Sequence, residues 1–558
     1  MFDNLDLNAI QDEAARALIR RLLNLIEQLT SDLREAQAEI QRLRDELNRL
    51  KGEQGQAKIK PNTTKPAAGN HSSEQERHKP ERHSKDSKQA TIQIDREQVV
   101  EVDRATLPAD GPSKGHFAEF KGYEDVVVQD ILVHTDNVCF HKQKYYAPST
   151  NKTYVAELPQ GYGGQFGPGI KALLLTLYFG MGTSEPKIVE FLTNAGIQIS
   201  SGEVSNLLIK GQDDFHAERD AVYAVGLRSS PWQHTDDTQT RVNGHNAHCH
   251  VVCNPVYTVY QTTPTKERLA VLDVLRNGRA RSFRLNEEAL TYLAGVALSK
   301  ATRQTLHTAC SQTQMDEPTF QQHLDNLLPD LSGSSPSRKA IVGAAAVAAY
   351  HAETDYPVIQ TLICDDAPQF NWLTADKMLC WVHEGRPYKK LTPFVPLHRQ
   401  LVTDFLKRFW EYYDQLLTYR QQPTPTERAR LDTAFDTLFA TRTGYDELDE
   451  RIAKTEAKKA ALLLVLKHPE LPLHNNPAEL AVRQRVRKRD VSFGPRTQDG
   501  CKAWDTFMSL AATTKKLGVS FYAFVRDRIA GTHHIPPLAE LVDQAAKALN
   551  LGQSWSTP

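Results

Sequence analysis

Residues 231–263, PWQHTDDTQTRVNGHNAHCHVVCNPVYTVYQTT, decide the fold of this 558-residue chain. Three runs rich in β-branched and aromatic residues are typical of strands. The dipeptide Asn243-Gly244 between the first two runs is suited to a two-residue hairpin turn. A helical pattern, ERLAVLDVL, follows the third run. The segment therefore predicts three antiparallel strands followed by a helix.

A fourth strand is predicted much further along the chain, at VIQTLIC (358–364), a short apolar run typical of a buried central strand. Residues 276–355 and about 395–470 have a mostly helical pattern and interrupt the sheet. We therefore predict a multidomain α/β protein. In it, residues 229–530 form a ribonuclease-H-like catalytic domain with these two helical insertions, and 531–558 form a C-terminal tail.

The N-terminal region predicts a coiled coil over residues 1–51, followed by a linker. Apolar residues from Ile19 to Leu50 recur at alternating steps of four and three, which is a coiled-coil seam and favours self-association. The alternative is one amphipathic helix packed on its own domain, but such helices usually have a wider apolar face. Residues 52–90 contain almost no large apolar side chains, so we expect a disordered, mildly basic linker.

Two further units are predicted before the sheet. In residues 91–163, the runs TIQIDREQVVEV, DVVVQDILV, NVCFHKQKYYA and KTYVAEL suggest a small antiparallel β unit. In residues 164–228, one helical segment is expected to end near Gly196 and the next to begin at Ser200, with Glu203 at capping-box spacing. Helix, short glycine turn and helix is the helix-turn-helix pattern, although many helical pairs in protein cores share it.

Composition restricts the class of protein. The formal net charge is −1 with 24% charged residues, so any nucleic-acid-binding surface must be local. Seven scattered cysteines fit a reduced protein better than a disulfide framework. The N-terminus does not resemble a signal peptide, and no apolar run is long enough to span a membrane. We expect a soluble, cytoplasmic protein with no membrane partner.

Three acidic residues are candidates for a catalytic metal site. Asp236 lies on the first predicted strand and Asp365 at the end of VIQTLIC, while Glu479 lies in the first turn of a helix with Asn476 as expected N-cap. Such carboxylates suit hard divalent cations, Mg²⁺ or Mn²⁺. Two ions held together would support an in-line phosphoryl displacement. With 68 Asp and Glu in the chain, however, a trio at plausible positions also occurs by chance.

Three segments resemble the acidic motifs of the insertion-sequence sixty-six family of bacterial DDE transposases. They are HTDDTQTRVNG (234–244), LICDDAPQFNWL (362–373) with MLCWVHEGRPYKKL (378–391), and the 45 or so residues that begin HNNPAELAVRQRVRKRD at 474. The resemblance covers roughly 165–275 and 357–530, and the third motif is the most specific. It implies that Asp236, Asp365 and Glu479 are the metal ligands. Asp237 and Asp366 are close rivals for these roles. Neighbouring strand residues point to opposite faces, so an alignment error of one residue would exchange the two members of each pair.

The resemblance also implies a function and its partners. The chain would cleave transposon ends with a metal-activated water and then join the freed 3′-hydroxyl to target DNA. It would work as a homodimer or higher oligomer held by the coiled coil, and accessory proteins are further candidate partners. Two alternatives stay open: a non-catalytic, domesticated DNA-binding protein, and a ribonuclease-H-like nuclease without strand transfer.

The chain departs from the family pattern in three ways. The family usually has a cysteine-rich zinc ribbon before the helix-turn-helix, but residues 91–160 contain only Cys139, so no structural zinc is expected there. Cys364 and Asp366 replace the serine and glycine of the second motif, and Asp237 replaces the glutamate of the first. The helical stretch 276–355 stands where a much shorter connection is expected.

Basic and metal-ligating residues complete the candidates. The helix of Glu479 carries a basic run that we expect to contact DNA phosphates, although a solvated basic helix is the simpler interpretation. The run consists of Arg483, Arg485, Arg487, Lys488 and Arg489, with Arg496 nearby. Cys380 and His383 have ligand-like spacing without a second pair, so we expect them to pack beside the active site and support it. The His and Cys residues of 245–253 alternate between strand faces, which disfavours one shared ion.

Overall fold

The computed structural model of the chain describes residues 9–51, 92–103, 121–131 and 133–555. The predicted linker, 52–90, lies outside the described residues. The first helix, α1, spans Glu13–Leu50, or 38 residues. The predicted seam residues Leu29, Leu33 and Ile40 are exposed on it, whereas Leu23 and Glu27 on another face are buried. Helix α1 therefore docks by one face and leaves its apolar stripe uncovered.

Only part of the predicted small β unit forms strands. Strands β1 (Lys144–Ala147) and β2 (Lys152–Val155) pair antiparallel. The described parts of the earlier runs, 92–103 and 121–131, contain no strand, so that prediction was wrong for them. Most of their valines and isoleucines are exposed, Val100, Val128 and Ile131 among them. β-branched residues alone do not make a stable strand. A strand ladder also needs another layer packed on one of its faces.

Four helices lie between β2 and the main sheet. They are α2 (Pro168–Leu175, continued by a π turn at Thr176–Gly180), α3 (Glu185–Asn194), α4 (Ser201–Ile209) and α5 (Asp213–Arg228). The predicted capping is present: Gly196 has φ of +83°, and the Ser200 hydroxyl accepts a hydrogen bond from the Glu203 N–H at 3.1 Å. Helices α3 and α4 therefore have the expected helix, turn and helix order.

The three strands predicted at 231–263 are present. They are β3 (Trp232–Val242), β4 (His245–Asn254) and β5 (Tyr257–Thr263), joined as antiparallel neighbours and followed by α6 (Arg268–Leu275). The first turn is at Asn243-Gly244, where both residues have positive φ, 50° and 78°. This agrees with the hairpin expected from the dipeptide.

The first helical insertion is broken into short pieces. It contains β6 (Ser282–Phe283), α7 (Glu287–Leu293), α8 (Lys300–Thr308), β7 (Met315–Asp316), α9 (Glu317–Leu327) and α10 (Pro336–His351). Strands β6 and β7 form a two-residue antiparallel pair. The alanine-rich α10 is buried for most of its length, from Ile341 to Tyr350. It anchors the insertion to the rest of the fold.

Two parallel strands complete the sheet. Strand β8 (Thr361–Cys364) pairs parallel with β3, and β9 (Asp376–Leu379) pairs parallel with β8. The order of the mixed five-stranded sheet is β5-β4-β3-β8-β9. The predicted fourth strand was correct, while β9 was not predicted.

The second helical insertion has its own aromatic-rich core. Its helices are α11 (Trp381–Lys390), α12 (Pro396–Gln421), α13 (Pro425–Phe439), α14 (Asp446–Glu456) and α15 (Lys459–Leu462). Trp381, Phe409 and Phe435 are among its fully buried rings. The core also includes Trp232 of β3 and Ile363 of β8, so the insertion is joined to the sheet.

The last four helices are α16 (Asn476–Ser492), α17 (Gln498–Lys516), α18 (Phe521–Ala530) and α19 (Leu538–Leu549). The region expected to be a tail thus contains a helix, α19, which buries Leu538 and Val542. Buried side chains of α2–α5, the sheet and α16–α19 form one continuous core. Helices α2–α5 therefore pack as part of the sheet's own body. None of the helices in the described ranges is long and apolar enough to cross a membrane.

Candidate active site

Strand register brings Asp236 and Asp365 to neighbouring positions. In the parallel pair of β3 and β8, His234 is opposite Ile363. Two residues further along each strand direction are Asp236 and Asp365. Side chains alternate along a strand, so Asp236 lies on the same face as His234 and Trp232. The Asp236 side chain, within β3, and the Asp365 side chain, directly after β8, therefore lie at neighbouring positions on adjacent strands.

Helix α16 covers this face of the sheet and brings Glu479 to it. The residue preceding the helix is Asn475, so the N-cap is one residue earlier than the predicted Asn476. The Asn475 side chain donates to the Thr235 carbonyl oxygen at 2.8 Å, and its Oδ1 is 2.9 Å from His234 Nδ1. Glu479 lies one turn later, its N–H donating to the Asn475 carbonyl oxygen at 3.1 Å. Asn475 thus fixes the start of α16 against β3.

The pKa of His234 determines which atom donates in the hydrogen bond between His234 and Asn475. Burial lowers the pKa of His234 to about 3, although the hydrogen bond with Asn475 opposes the shift. The ring is therefore neutral at pH 7 and its Nδ1–H donates to the amide oxygen of Asn475. This fully buried pair links the first and third acidic motifs.

The three acids interact electrostatically. Burial, together with the negative charges of Asp365, Glu479 and Asp237, raises the pKa of Asp236 to about 7, against a hydrogen bond from the Asp237 N–H. A bound cation relieves such repulsion between carboxylates. The donors are all carboxylate oxygens, the ligand type that Mg²⁺ and Mn²⁺ prefer. The residues present therefore fit a hard divalent metal.

The rival acids have other partners. Asp366 forms ion pairs with Lys377 at 3.1 Å and Lys458 at 3.0 Å. Burial alone would raise the pKa of Asp366, but hydrogen bonds from the two lysines outweigh it and lower the pKa. Asp237 lies on the opposite face of β3 from Asp236 and accepts a hydrogen bond from the Gln369 amide at 2.9 Å.

Three residues of α11 or its N-cap surround Glu479. Arg386 donates to Glu479 Oε2 at 2.8 Å. His383 Nδ1 lies 3.4 Å from Glu479 Oε1, and both of these atoms are buried without a hydrogen-bond partner. Cys380, the N-cap residue, completes a group whose ligand atoms lie within 4.8 Å of one another. Cys380 and His383 therefore lie directly beside the predicted acid.

Two of the six predicted DNA-binding residues are not available at the surface. Arg485 is buried in an ion pair with Asp505 at 3.0 Å, and it also donates to the Thr262 hydroxyl. Lys488 is buried over the ring of Tyr178, 3.2 Å from its centroid. Both expectations were wrong because these positions face α17 and α2 rather than solvent. The sequence of a basic run does not show which face of its helix is covered by the rest of the fold.

The other four basic residues are on the outside of the site. Arg483, Arg487 and Arg496 are exposed. Arg489 is half-buried and hydrogen-bonds the Gln239 carbonyl oxygen of β3. A basic surface therefore continues from the helix of Glu479 toward the end of the first hairpin.

Sequence reasoning missed the residues that hold the site together. Asn475, His234 and Arg386 were part of the quoted motifs but received no role. The signal was their position: His234 is two residues before Asp236, and Asn475 is four before Glu479. Arg386 follows His383 by three residues, about one helical turn, so both side chains lie on the face of α11 that contacts Glu479.

Comparisons with known proteins find a matching family and a similar relative. The family model described as "Transposase IS66 family" matches residues 163–284 and 335–503. The unmatched segment between them, 285–334, contains α7, α8, β7 and α9 of the first insertion. An uncharacterized protein named y4jO, from Sinorhizobium fredii, is 33% identical over 326 residues. That alignment covers 58% of this chain and 99% of the relative.

Proposed function

The chain belongs to the IS66 family of transposases, and from this membership we propose that it is a DNA transposase that cleaves transposon ends and joins them to target DNA. The observation that carries the proposal is the convergence of Asp236, Asp365 and Glu479 on one face of the sheet. Family membership implies a DNA substrate; the acids supply a place for the chemistry.

The proposed catalytic fold is ribonuclease-H-like. Three antiparallel strands are followed by two strands parallel to the first, and a helix crosses the face that carries the acids. In this arrangement Asp236 is on the central strand and Asp365 follows its parallel neighbour. The sheet fixes the spacing of these two carboxylates, while Asn475 fixes α16 and with it Glu479.

Asp236, Asp365 and Glu479 would hold two divalent ions, Mg²⁺ or Mn²⁺. When bound, such ions activate the attacking oxygen and stabilise the leaving oxygen of a phosphoryl transfer. Arg386 and His383 orient the Glu479 carboxylate from one side. The pairing of Asp366 with two lysines favours Asp365 as the ligand of that neighbouring pair.

Four basic residues are proposed to contact DNA phosphates. Arg483, Arg487 and Arg496 are exposed near the acids, and Arg489 is half-buried beside them. Phosphate contacts of this kind position a duplex without reading its sequence. This local basic surface would allow the chain to bind DNA although its formal net charge is −1.

The N-terminal elements are proposed to recognise and pair the DNA ends. Helix α4 leaves Ser201, Gly202 and Asn206 exposed for a DNA groove. The uncovered stripe of α1 would join two copies of the chain, and a cytoplasmic location follows from the substrate. We retain the proposed units 1–51, 52–90, 91–163, 164–228, 229–530 and 531–558. The last three of them share one core.

The test is a cleavage and joining assay on DNA that carries the ends of the chain's own element. We expect Mg²⁺-dependent nicks at the ends and, with a supercoiled plasmid as target, labelled ends joined to the plasmid. Glu479→Gln should abolish both products. Cleavage without joining would favour a nuclease, and end binding without either product would favour a non-catalytic DNA-binding protein.

A further inference from the structure

Cys380, His383 and Glu479 form a group of metal-ligating side chains that a Mg²⁺ site does not require. A sulfur, an imidazole nitrogen and a carboxylate oxygen lie within 4.8 Å of one another. Within the described ranges, no other group of three or more His, Cys, Asp or Glu side chains brings its ligand atoms this close together. Sulfur and imidazole ligands select borderline or soft ions such as Zn²⁺, whereas Mg²⁺ takes oxygen ligands.

We propose that these three residues bind one thiophilic divalent cation of the Zn²⁺ class. The carboxylate involved is the one assigned above to catalysis, and this shared use of Glu479 rests on the proposed function. The site differs from a zinc ribbon, which would need four cysteine or histidine ligands near Cys139. It leaves the fourth position of a tetrahedral ion open.

The geometry is close to that of an occupied site. Around a tetrahedral Zn²⁺ with bonds of about 2.0–2.3 Å, neighbouring ligand atoms are about 3.3–3.8 Å apart. His383 Nδ1 and Glu479 Oε1 are already 3.4 Å apart. The largest separation in the group, up to 4.8 Å, has to shorten by about 1 Å. The His383 side chain is 25% exposed, which leaves its ring room to adjust.

Two of the ligand atoms lack any other partner. His383 Nδ1 and Glu479 Oε1 are both buried without a hydrogen bond, which is costly for polar atoms. They face each other across the space next to Cys380. An ion placed there would satisfy both atoms at once.

The surroundings hold the ligands in place. Cys380 is the N-cap of α11, and the Asn475 N–H donates to its sulfur at 3.3 Å. His383 follows three residues later, on the same side of the first helical turn. Arg386 holds Glu479 Oε2 at 2.8 Å and leaves Oε1 to the site. Such outer contacts orient the ligands of known metal sites.

A cobalt titration of the full chain tests the proposal. Reduced protein is titrated with Co²⁺ in the absence of DNA, and thiolate-to-cobalt absorption is followed in the near ultraviolet. We expect a band that saturates at one equivalent of Co²⁺ and is displaced by Zn²⁺. Cys380→Ser should abolish the band, and His383→Ala should weaken Co²⁺ binding at least tenfold. Cys501→Ser, which alters another buried thiol, should leave the band unchanged.

The outcomes separate clearly. No band in the wild type, or an intact band in a folded Cys380→Ser variant, overturns the site. Because His383 is less buried than Cys380, His383→Ala serves as the second variant if Cys380→Ser fails to fold. Cobalt binding is read without DNA, so a failure of cleavage and a failure of this site are distinguishable.

The shared carboxylate is tested in the same titration. If Glu479 serves both ions, millimolar Mg²⁺ should weaken Co²⁺ binding by the wild type and have no such effect on Glu479→Gln. Glu479→Gln should retain the sulfur band at higher Co²⁺ concentration. Co²⁺ binding that is insensitive to Mg²⁺ would contradict the sharing of Glu479.

Discussion

Replacing Arg485 with methionine should destabilise the fold without changing the DNA-binding surface. The guanidinium and its partner Asp505 are 1% and 7% exposed, with 3.0 Å between Nη2 and Oδ1. Asp505 also accepts hydrogen bonds from the Thr262 N–H at 2.7 Å and hydroxyl at 2.8 Å. Arg485→Met therefore leaves a buried carboxylate without its counter-charge.

The expected magnitude follows from the burial of both partners. Removing one member of a buried ion pair costs about 3–5 kcal/mol in the free energy of unfolding. For a domain of this size, each kcal/mol lowers Tm by about 2–4 °C. Differential scanning calorimetry should therefore show the Tm of Arg485→Met lower by about 6–20 °C.

A double variant distinguishes the stranded charge from lost packing. Arg485→Met/Asp505→Asn removes both charges, so its Tm should lie above that of Arg485→Met. Asp505→Asn alone strands the arginine and should also be destabilised. The reasoning would be refuted by a wild-type Tm for Arg485→Met together with weakened DNA binding, because that result places Arg485 at the DNA.

Three further predictions concern the surface, the buried lysine and assembly. Arg483→Ala should leave Tm unchanged but weaken binding to duplex DNA, measured by fluorescence anisotropy. The slope of log affinity against log salt concentration should fall by about one. An unchanged slope would show that Arg483 does not contact DNA. Burial lowers the pKa of Lys488 to about 7, below its unfolded value, so stability should rise as pH increases from about 7 toward 10, where the unfolded state holds more protons. Lys488→Met should flatten the dependence of Tm on pH over this window, and a wild-type slope in that variant would count against it. Leu33→Glu/Ile40→Glu on α1 should reduce the mass in light scattering to that of one chain, while the exposed control Gln37→Glu should not; an oligomer that survives the double change would rule out this stripe.

Short-range patterns explain why the sheet and the acids could be predicted. Runs of β-branched and aromatic residues and the Asn243-Gly244 turn specify β3 and β4 locally, and the capping signal of Ser200 is equally local. Asp236 lies within the predicted first strand, and Asp365 directly follows the predicted fourth strand. These features depend on a few neighbouring residues, which the sequence displays directly.

Other features depend on which surface covers a segment, and a sequence does not display that. The valines of 92–103 have strand propensity but no covering layer, so they form no strand. Lys488 reads as a surface cation, yet α2 places the Tyr178 ring over it. Likewise, the contacts of Asn475 with His234 and Thr235 join residues about 240 positions apart.

The central claim is that Asp236, Asp365 and Glu479 together form the active site. The most direct measurement compares five single variants in the Mg²⁺-dependent end-cleavage assay: Asp236→Asn, Asp237→Asn, Asp365→Asn, Asp366→Asn and Glu479→Gln. We predict no product from Asp236→Asn, Asp365→Asn or Glu479→Gln, and retained cleavage by the two neighbours. Cleavage by folded Asp236→Asn or Asp365→Asn, with loss in Asp237→Asn or Asp366→Asn, would contradict the account.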